Sequence, residues 1–247
     1  MLELDAWLEI AKSAALEGGN YLLQNQGKEL KVLMDSGRDI KLQLDTDTEK
    51  LIKESLSSHS SFSILGEETG LSNNLGEFYW VVDPLDGTSN FLRDIPISCV
   101  SIALMQDVTP ILGVIYDFNH DDLYFGHQNS KAFLNQNEIT VSDYSKKNQS
   151  TLVTGIPAKT HYSDEEFKNI INDFQDWKKV RMIGSAAMAA IYVAAGKAET
   201  YKENGIFLWD IAAGAAIVEA AGGVVSIKNI QADYRVDAIF TNQHLAN

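Results

Sequence analysis

The sequence predicts an α+β protein whose two halves are organised differently. Residues 1 to about 145 begin with helical periodicity and continue as short apolar runs separated by turn residues, which is typical of a largely antiparallel sheet. From about residue 146 to 247, strand and helix patterns alternate, which indicates an α/β arrangement. Because no linker, repeat or low-complexity segment separates the halves, we expect residues 1–247 to form a single compact unit.

The first half begins with two helices. Residues 3 to about 26 carry apolar side chains at helical spacing, and a second amphipathic helix is predicted from Asp45 to His59. The polar segment 28–44 between them contains Gly37 and Arg38, and predicts an exposed hairpin or a mobile loop. Strands are then predicted at the apolar runs 62–65, 78–82, 97–105, 111–116 and 122–126.

The second half begins with a predicted strand at 152–155. Ser163 and Glu166 have the spacing of a capping box and indicate the start of a helix. We expect its apolar side chains to face inward, namely Phe167, Ile170, Ile171, Phe174 and Trp177. The remaining predicted elements are strands at 180–183, 198–201, 224–227 and 238–241, and helices at 184–195 and 209–221.

Composition narrows the range of partners. With 20 Lys and Arg against 34 Asp and Glu, the net charge of -14 argues against a nucleic-acid partner. The lone cysteine, Cys99, excludes an intrachain disulfide and a cysteine-rich zinc site, and its apolar surroundings predict a buried side chain. We also expect no membrane partner and a cytoplasmic location, since no apolar stretch reaches the ~18 residues of a membrane span.

The most informative segment runs from Trp80 to Phe91. Asp83 and Asp86 stand three residues apart after an apolar stretch, and Gly87-Thr88 follows at once. Carboxylates on a stiff turn suit a hard divalent cation such as Mg²⁺, and glycine amides with hydroxyls suit a phosphate. The segment therefore predicts metal and phosphate chemistry. A simple strand-ending turn is the alternative interpretation, because Asp-Pro and Asp-Gly are common turn pairs.

Other segments offer further candidate groups, each with a structural alternative. Glu67 and Glu68 stand between glycines at a predicted strand end, where they are either metal or substrate ligands or simply part of a solvated loop. Asp210 begins a helix after Trp209, as a ligand or as an N-cap. Asp45 and Asp47 lie in the first turns of a helix, where acids also suit the helix dipole. Gly184-Ser185-Ala186 predicts either amide and hydroxyl donors for a ligand or tight helix packing.

Taken together, these segments resemble the inositol monophosphatase family of Mg²⁺-dependent, lithium-sensitive phosphatases. The resemblance covers about residue 40 to the C-terminus and rests on three motifs in matching order and spacing. They are Gly66-Glu67-Glu68, Asp83-Pro84-Leu85-Asp86-Gly87-Thr88, and Trp209-Asp210 followed by a small-residue helix that ends at Gly222-Gly223. It implies a layered α-β-α-β-α sandwich. It also implies a phosphoric monoester hydrolase, for which a homodimer is common.

The resemblance implies a metal centre of two or three Mg²⁺ ions. The first would be held by Glu67, Asp83 and the carbonyl of Leu85, and the second by Asp83, Asp86 and Asp210. Glu67 and Thr88 would orient the attacking water. Asp45 would assist them, although its neighbour Asp47 competes for that assignment. Phosphate oxygens would bind both metals and the amides of Gly87 and Thr88, and Asp86 and Asp210 are also implied as substrate-binding residues.

The resemblance also indicates a substrate class. Glu203 stands seven residues before Asp210, where the inositol-preferring branch has a glutamate for ring hydroxyls, and Gly184, Ser185 and Ala186 match its substrate contacts. These positions favour an inositol monophosphate or a related polyol or sugar monophosphate, unless Glu203 is a surface residue. The alternatives are a 3'(2'),5'-bisphosphate nucleotidase, a fructose-1,6-bisphosphatase or a non-catalytic interaction protein on the same fold. Arg38 and Lys41 are candidates for the basic residues of the family's mobile loop.

Overall fold

The computed structural model describes residues 3–28, 30–36, 39–157 and 161–246. These ranges contain six α-helices. In chain order they are α1 (Leu4–Asn25), α2 (Gln43–Ser57), α3 (Thr88–Phe91), α4 (Asp164–Gln175), α5 (Ala186–Ala194) and α6 (Leu208–Ala220). A 3-10 turn covers Lys147–Gln149. The two helices predicted in the first half are therefore present, as α1 and α2, with bounds within two residues of the prediction.

The first half forms a two-stranded hairpin and an eight-stranded sheet. The hairpin pairs β1 (Val32–Ser36) with β2 (Asp39–Leu42). The sheet contains β3 (Ser63–Gly66), β4 (Gly70–Leu71), β5 (Phe78–Asp86), β6 (Cys99–Gln106), β7 (Thr109–Asp117), β8 (Asp122–His127), β9 (Ala132–Leu134) and β10 (Asn137–Ile139). Its spatial order is β10-β9-β8-β7-β6-β5-β3-β4, and every pair is antiparallel except β3 with β5.

The second half forms a mixed five-stranded sheet. Its strands are β11 (Thr151–Thr154), β12 (Lys179–Met182), β13 (Thr200–Phe207), β14 (Val224–Lys228) and β15 (Arg235–Thr241), in the spatial order β12-β11-β13-β15-β14. β11 runs parallel to both β12 and β13, whereas β15 pairs antiparallel with β13 and β14. The strands predicted in this half are all present, in the predicted order.

Two apolar cores explain why the strands of the large sheet read as continuous apolar runs. Along β5, Trp80 and Val82 face the core under α1 and α2, whereas Tyr79 and Val81 face the core that contains α5 and α6. A strand that is buried on both faces shows no alternation of polar and apolar residues. The layers therefore stack as α1 and α2, the large sheet, α5 and α6, and the small sheet, with α4 beyond it. The layered α+β sandwich is confirmed.

The prediction for the face of α4 was wrong in part. The capping box is present, since the Ser163 hydroxyl accepts a hydrogen bond from the Glu166 amide and the Glu166 carboxylate accepts one from the Ser163 amide. Trp177 is buried, but Phe167 and Ile171 are exposed, by 39% and 51%. An outermost helix that rests on one sheet buries a narrower stripe than its sequence offers, so the spacing predicted the helix but not how much of it is covered.

Two further predictions concern the surface of the molecule. Strands β1 and β2 pair antiparallel, in agreement with the hairpin alternative predicted for residues 28–44, whereas Gly37 and Arg38 lie outside the described residues. In the described part of the chain, no helix combines the length and apolar character needed to cross a membrane.

Candidate active site

Three carboxylates from separate elements meet where strands β3 and β5 of the large sheet end. Glu67 follows β3, Asp83 lies within β5, and Asp210 is the third residue of α6. One oxygen of each lies within 4.8 Å of an oxygen of the other two. Residues that are far apart in the chain thus converge, as the three matched motifs predicted.

The local backbone explains this convergence. β3 and β5 are parallel and Gly66 pairs with Val82, so Glu67 and Asp83, the residues that follow this pair, lie side by side at the same end of the two strands. The pairing of β5 with β6 then shifts register between Asp83 and Asp86, and the Asp83 Oδ1 atom accepts a hydrogen bond of 2.9 Å from the Leu85 amide. This irregular strand end holds the carboxylate in place.

Asp210 is fixed at the start of α6. Its Oδ2 atom accepts a hydrogen bond of 3.3 Å from the Phe207 amide, which satisfies an unpaired donor of the first helical turn. Phe207 is the N-cap of α6, so the N-cap alternative for Asp210 was wrong, and Asp210 instead binds the N-cap amide from the third position of the helix. This hydrogen bond coexists with membership in the acidic group, because the second carboxylate oxygen remains for another partner.

The electrostatics of the group favour a bound cation. Desolvation raises the pKa of Glu67 to about 8, and the charge of Glu68 adds to this effect. Desolvation and the Glu67 charge also raise the pKa values of Asp83 and Asp210 well above their usual range. Three carboxylates this close repel one another, and a divalent cation removes that repulsion. The all-oxygen donor set fits a hard cation such as Mg²⁺.

Asp86 lies beside this group and is held by α5. Its Oδ2 atom accepts hydrogen bonds of 2.6 Å from the Ser185 hydroxyl and 2.7 Å from the Ala187 amide. Desolvation raises the pKa of Asp86 to about 6, and these hydrogen bonds oppose the increase. The charge of Asp86 in turn raises the pKa values of Asp83 and Asp210. Asp86 is thus electrostatically coupled to the three acids, although it is not one of them.

Asp45 and Asp47 have different surroundings. Asp45 is buried with 2% of its surface exposed, and its Oδ2 atom accepts a hydrogen bond of 2.9 Å from the Leu42 amide. Its Oδ1 atom is buried without a hydrogen-bond partner among the described residues. Desolvation, with the charge of Glu68, raises its pKa to about 7. Asp47 is half-buried and binds the Gln43 side chain, whereas the charge of Asp45 raises the pKa of Glu67.

The turn after Asp86 brings a hydroxyl to the site. Gly87 has a φ of +94°, and a Cβ there would lie 2.7 Å from the Ile97 carbonyl oxygen, so no other residue fits. Thr88 begins α3, and its hydroxyl donates a hydrogen bond of 3.1 Å to the Leu85 carbonyl. The carbonyl and the hydroxyl that the resemblance assigned to metal and water are therefore in contact.

A cleft of about 290 Å³ opens beside these groups. Its wall includes every predicted substrate contact except Asp210, together with Glu67 and residues that the sequence analysis did not single out. The predicted members are Glu67, Asp86, Gly87, Thr88, Gly184, Ser185, Ala186 and Glu203. This volume is close to the lower end of the range for small-molecule sites.

Glu203 faces this cleft rather than solvent. It is buried with 8% of its surface exposed, and the Tyr201 hydroxyl donates a hydrogen bond of 3.0 Å to its Oε2 atom. A Cβ on Gly155 would lie 2.7 Å from both carboxylate oxygens, so the carboxylate lies directly against that backbone. The surface alternative for Glu203 does not hold. Desolvation raises its pKa to about 7.

Sequence reasoning missed several residues of the site. Tyr201, Thr154 and Gly155 line the cleft but were assigned only to strands. Strand alternation gave the one available signal, since residues 201 and 203 must share a face of β13. Of the two basic residues proposed for the loop, Lys41 pairs with Glu68 at 3.1 Å, and Arg38 lies outside the described residues.

Comparison with known proteins places this site in a family. The family model described as "Inositol monophosphatase family" matches residues 3–241. The chain is 38% identical over 222 residues to "Nus factor SuhB" of Xylella fastidiosa, with 88% of this chain and 80% of that protein covered. It is 34% identical over 231 residues to "Fructose-1,6-bisphosphatase/inositol-1-monophosphatase" of Aquifex aeolicus, with 92% and 88% covered.

Solved structures agree with this result. The inositol monophosphatase of Anabaena (Nostoc) sp. PCC 7120 superposes with a TM-score of 0.86 at 34% identity, over 98% of this chain and 93% of that one. The fold, the three motifs and the acidic group thus have one explanation: the chain belongs to the inositol monophosphatase family of metal-dependent phosphatases.

Proposed function

We propose that this chain hydrolyses inositol monophosphate, or a related polyol or sugar monophosphate, with Mg²⁺ as its cofactor. The observation that carries this proposal is the juxtaposition of two sites on one cleft. Glu67 and Asp86 line one part of it, and Glu203 lines another. The proposed metal and phosphate site would thus lie next to a carboxylate that can accept hydrogen bonds from hydroxyl groups.

The acidic group would hold two ions, and a third is compatible with the family. Glu67, Asp83 and the Leu85 carbonyl form the first ligand set, and Asp83, Asp86 and Asp210 form the second. When bound, Mg²⁺ lowers the pKa of water and offsets the negative charge of the phosphate. Lithium sensitivity is part of the proposal, because it accompanies this type of metal centre in the family.

The residues around the ions would orient the reactants. The Thr88 hydroxyl and the Glu67 carboxylate are the groups that would align the attacking water, with the buried Asp45 behind them. The Gly87-Thr88 turn faces the cleft and would receive the phosphate oxygens. Because these groups lie on a strand end and a short helix, they would need little reorganisation when the substrate binds.

Glu203 supports a monophosphate over a bisphosphate. Its Oε2 atom is occupied by Tyr201, which leaves Oε1 to accept hydrogen bonds from substrate hydroxyls. A second phosphate at this position would meet the negative charge of the carboxylate. Fructose 1,6-bisphosphate nevertheless remains the alternative substrate, because the relative from Aquifex aeolicus is named for both activities. A 3'(2'),5'-bisphosphate nucleotide is a third candidate.

The proposal also covers the oligomeric state and the cellular location of the protein. We propose a homodimer, which the resemblance implies, and a cytoplasmic location, which the lone buried cysteine supports. Size-exclusion chromatography with light scattering measures the first. A fluorescent fusion in the native host measures the second.

A comparison of substrates tests the proposed function. Purified protein with millimolar Mg²⁺ is supplied in turn with inositol 1-phosphate, fructose 1,6-bisphosphate, adenosine 3',5'-bisphosphate and p-nitrophenyl phosphate, and released phosphate is measured. We expect the highest kcat/KM for the inositol phosphate or another polyol monophosphate. A higher kcat/KM for either bisphosphate would replace the substrate assignment, and no release from any of the four would refute the proposal.

A further inference from the structure

A fourth carboxylate, Glu49, lies behind the turn that carries Glu67. Glu49 follows Asp45 by one turn of α2, and none of its surface is exposed. It does not belong to the group of three acids whose oxygens converge. A buried charge away from the ligands needs its own structural reason, because its desolvation is costly unless it is paired and hydrogen-bonded.

The donors that satisfy Glu49 come from the residues directly after Glu67. Its Oε2 atom accepts a hydrogen bond of 2.7 Å from the Glu68 amide, and its Oε1 atom accepts one of 3.0 Å from the Thr69 amide. The Thr69 hydroxyl donates to the same Oε1 atom. Both oxygens of Glu49 thus accept hydrogen bonds from the turn.

The turn also lies directly against the Glu49 carboxylate. A Cβ on Gly66 would overlap that carboxylate, so only glycine permits this approach. Before the turn, Gly66 pairs with Val82 in the sheet, and the Glu67 amide donates a hydrogen bond of 3.2 Å to the Val82 carbonyl. The backbone of Glu67 is therefore anchored to the sheet on one side and to Glu49 on the other.

Lys53 completes this arrangement. It stands four residues after Glu49 on α2, and its Nζ atom lies 3.0 Å from Glu49 Oε1. It also donates to the Thr69 hydroxyl and, at 3.3 Å, to the Gly70 carbonyl. The ammonium group offsets the buried charge of Glu49 and binds the far end of the same turn. Helix α2 thus holds the turn through two side chains.

We propose that Glu49 is a positioning residue for the metal centre. It fixes the Gly66–Gly70 turn so that the Glu67 carboxylate stands beside Asp83 and Asp210 before any ion binds. This inference rests on the proposed metal-dependent function and assigns a part of it to a residue that touches neither metal nor substrate. Outer groups that orient a ligand typically account for 10–100-fold in metal affinity.

Calorimetric titration with Mg²⁺ alone, without substrate, tests the proposal. In Glu49→Ala the turn loses all three hydrogen bonds to Glu49, so we expect the dissociation constant for Mg²⁺ to rise about 10- to 100-fold. Glu54→Ala is the matched control, because Glu54 lies on the same helix with 68% of its side chain exposed. We expect it to bind Mg²⁺ like the wild-type protein.

A second variant keeps the test decisive if Glu49→Ala does not fold. Glu49→Gln keeps one carbonyl oxygen for the Thr69 donors but presents an amide donor to the Glu68 N–H, so we expect an intermediate rise in the dissociation constant. Circular dichroism of the metal-free proteins reports whether each variant is folded. A folded Glu49 variant that binds Mg²⁺ as tightly as the wild type would overturn the inference and leave the proposed function intact. A wild-type protein that binds no Mg²⁺ would overturn both.

Discussion

The replacement Glu203→Gln tests how the cleft selects its substrate. Glutamine has nearly the same shape as glutamate and keeps a carbonyl oxygen for the Tyr201 hydroxyl, which now donates to Glu203 at 3.0 Å. What is lost is the negative charge that faces the substrate hydroxyls through Oε1. The variant therefore changes the strength of hydroxyl recognition and leaves the shape of the cleft in place.

The expected size of the effect follows from this single change. A hydrogen bond to a charged group contributes about 1.5–3 kcal/mol, against about 0.5–1.5 kcal/mol for a neutral one. The difference of about 1–1.5 kcal/mol corresponds to a KM about five- to twelvefold higher for inositol 1-phosphate. For p-nitrophenyl phosphate, which has no ring hydroxyls, KM should not change.

Steady-state phosphate release with both substrates at saturating Mg²⁺ provides the assay. Burial raises the pKa of Glu203 to about 7, so removing its charge should not lower the thermal stability of the metal-free protein at pH 8. Glu165→Gln, at an exposed position of α4, is the matched control. An equal rise of KM for both substrates, or none for either, would refute the role of Glu203 in recognising hydroxyls.

Three other predictions follow from the site. Asp83→Asn should lower kcat/KM at least about a hundredfold, because the loss of a ligand shared by both ions should exceed the loss of an outer group that only orients a ligand. Calorimetry should show weaker Mg²⁺ binding. Unchanged Mg²⁺ binding would contradict the assignment of Asp83 to both ions. Tyr201→Phe removes one hydrogen bond worth about 1 kcal/mol and should raise KM about fivefold for the polyol phosphate alone, whereas a loss of kcat with both substrates would argue against positioning. The pKa of Glu67 is raised from 4.5 to about 8, so the folded metal-free protein binds more protons than the unfolded chain between these pH values. Its free energy of unfolding should therefore fall as pH rises from 5 to 8, and saturating Mg²⁺ should oppose the fall. Thermal melts of the metal-free protein that do not change with pH would contradict this prediction.

Local sequence features predicted most of the fold. Helix α1 and the strands from β6 to β8 were predicted close to their observed bounds, because apolar periodicity and turn residues are local signals, whereas β5 was predicted to end at residue 82 and continues to Asp86. The short strands β4, β9 and β10 were not predicted, since two or three residues carry no periodicity. The exposure of Phe167 and Ile171 was missed for another reason: how much of an outer helix is covered depends on its neighbours in space.

The candidate site was also predictable only in part from local sequence features. Asp83 and Asp86 stand out within one segment, but their convergence with Asp210 became an expectation only through the family resemblance. Spacing left Asp45 and Asp47 as competitors, and the structure distinguishes them, because Asp45 is buried and its charge raises the pKa of Glu67, whereas Asp47 is half-buried. Glu49 carries no motif at all. Its importance lies in three hydrogen bonds to residues about 20 positions away, which only the folded chain shows.

Removal and restoration of metal during turnover tests the central claim most directly. The wild-type protein is freed of metal with EDTA, assayed for phosphate release from inositol 1-phosphate, and assayed again after Mg²⁺ is added back. We predict no release without metal and full recovery with it, whereas Asp83→Asn should not recover under the same conditions. Sustained phosphate release by the metal-free wild-type protein would contradict the account.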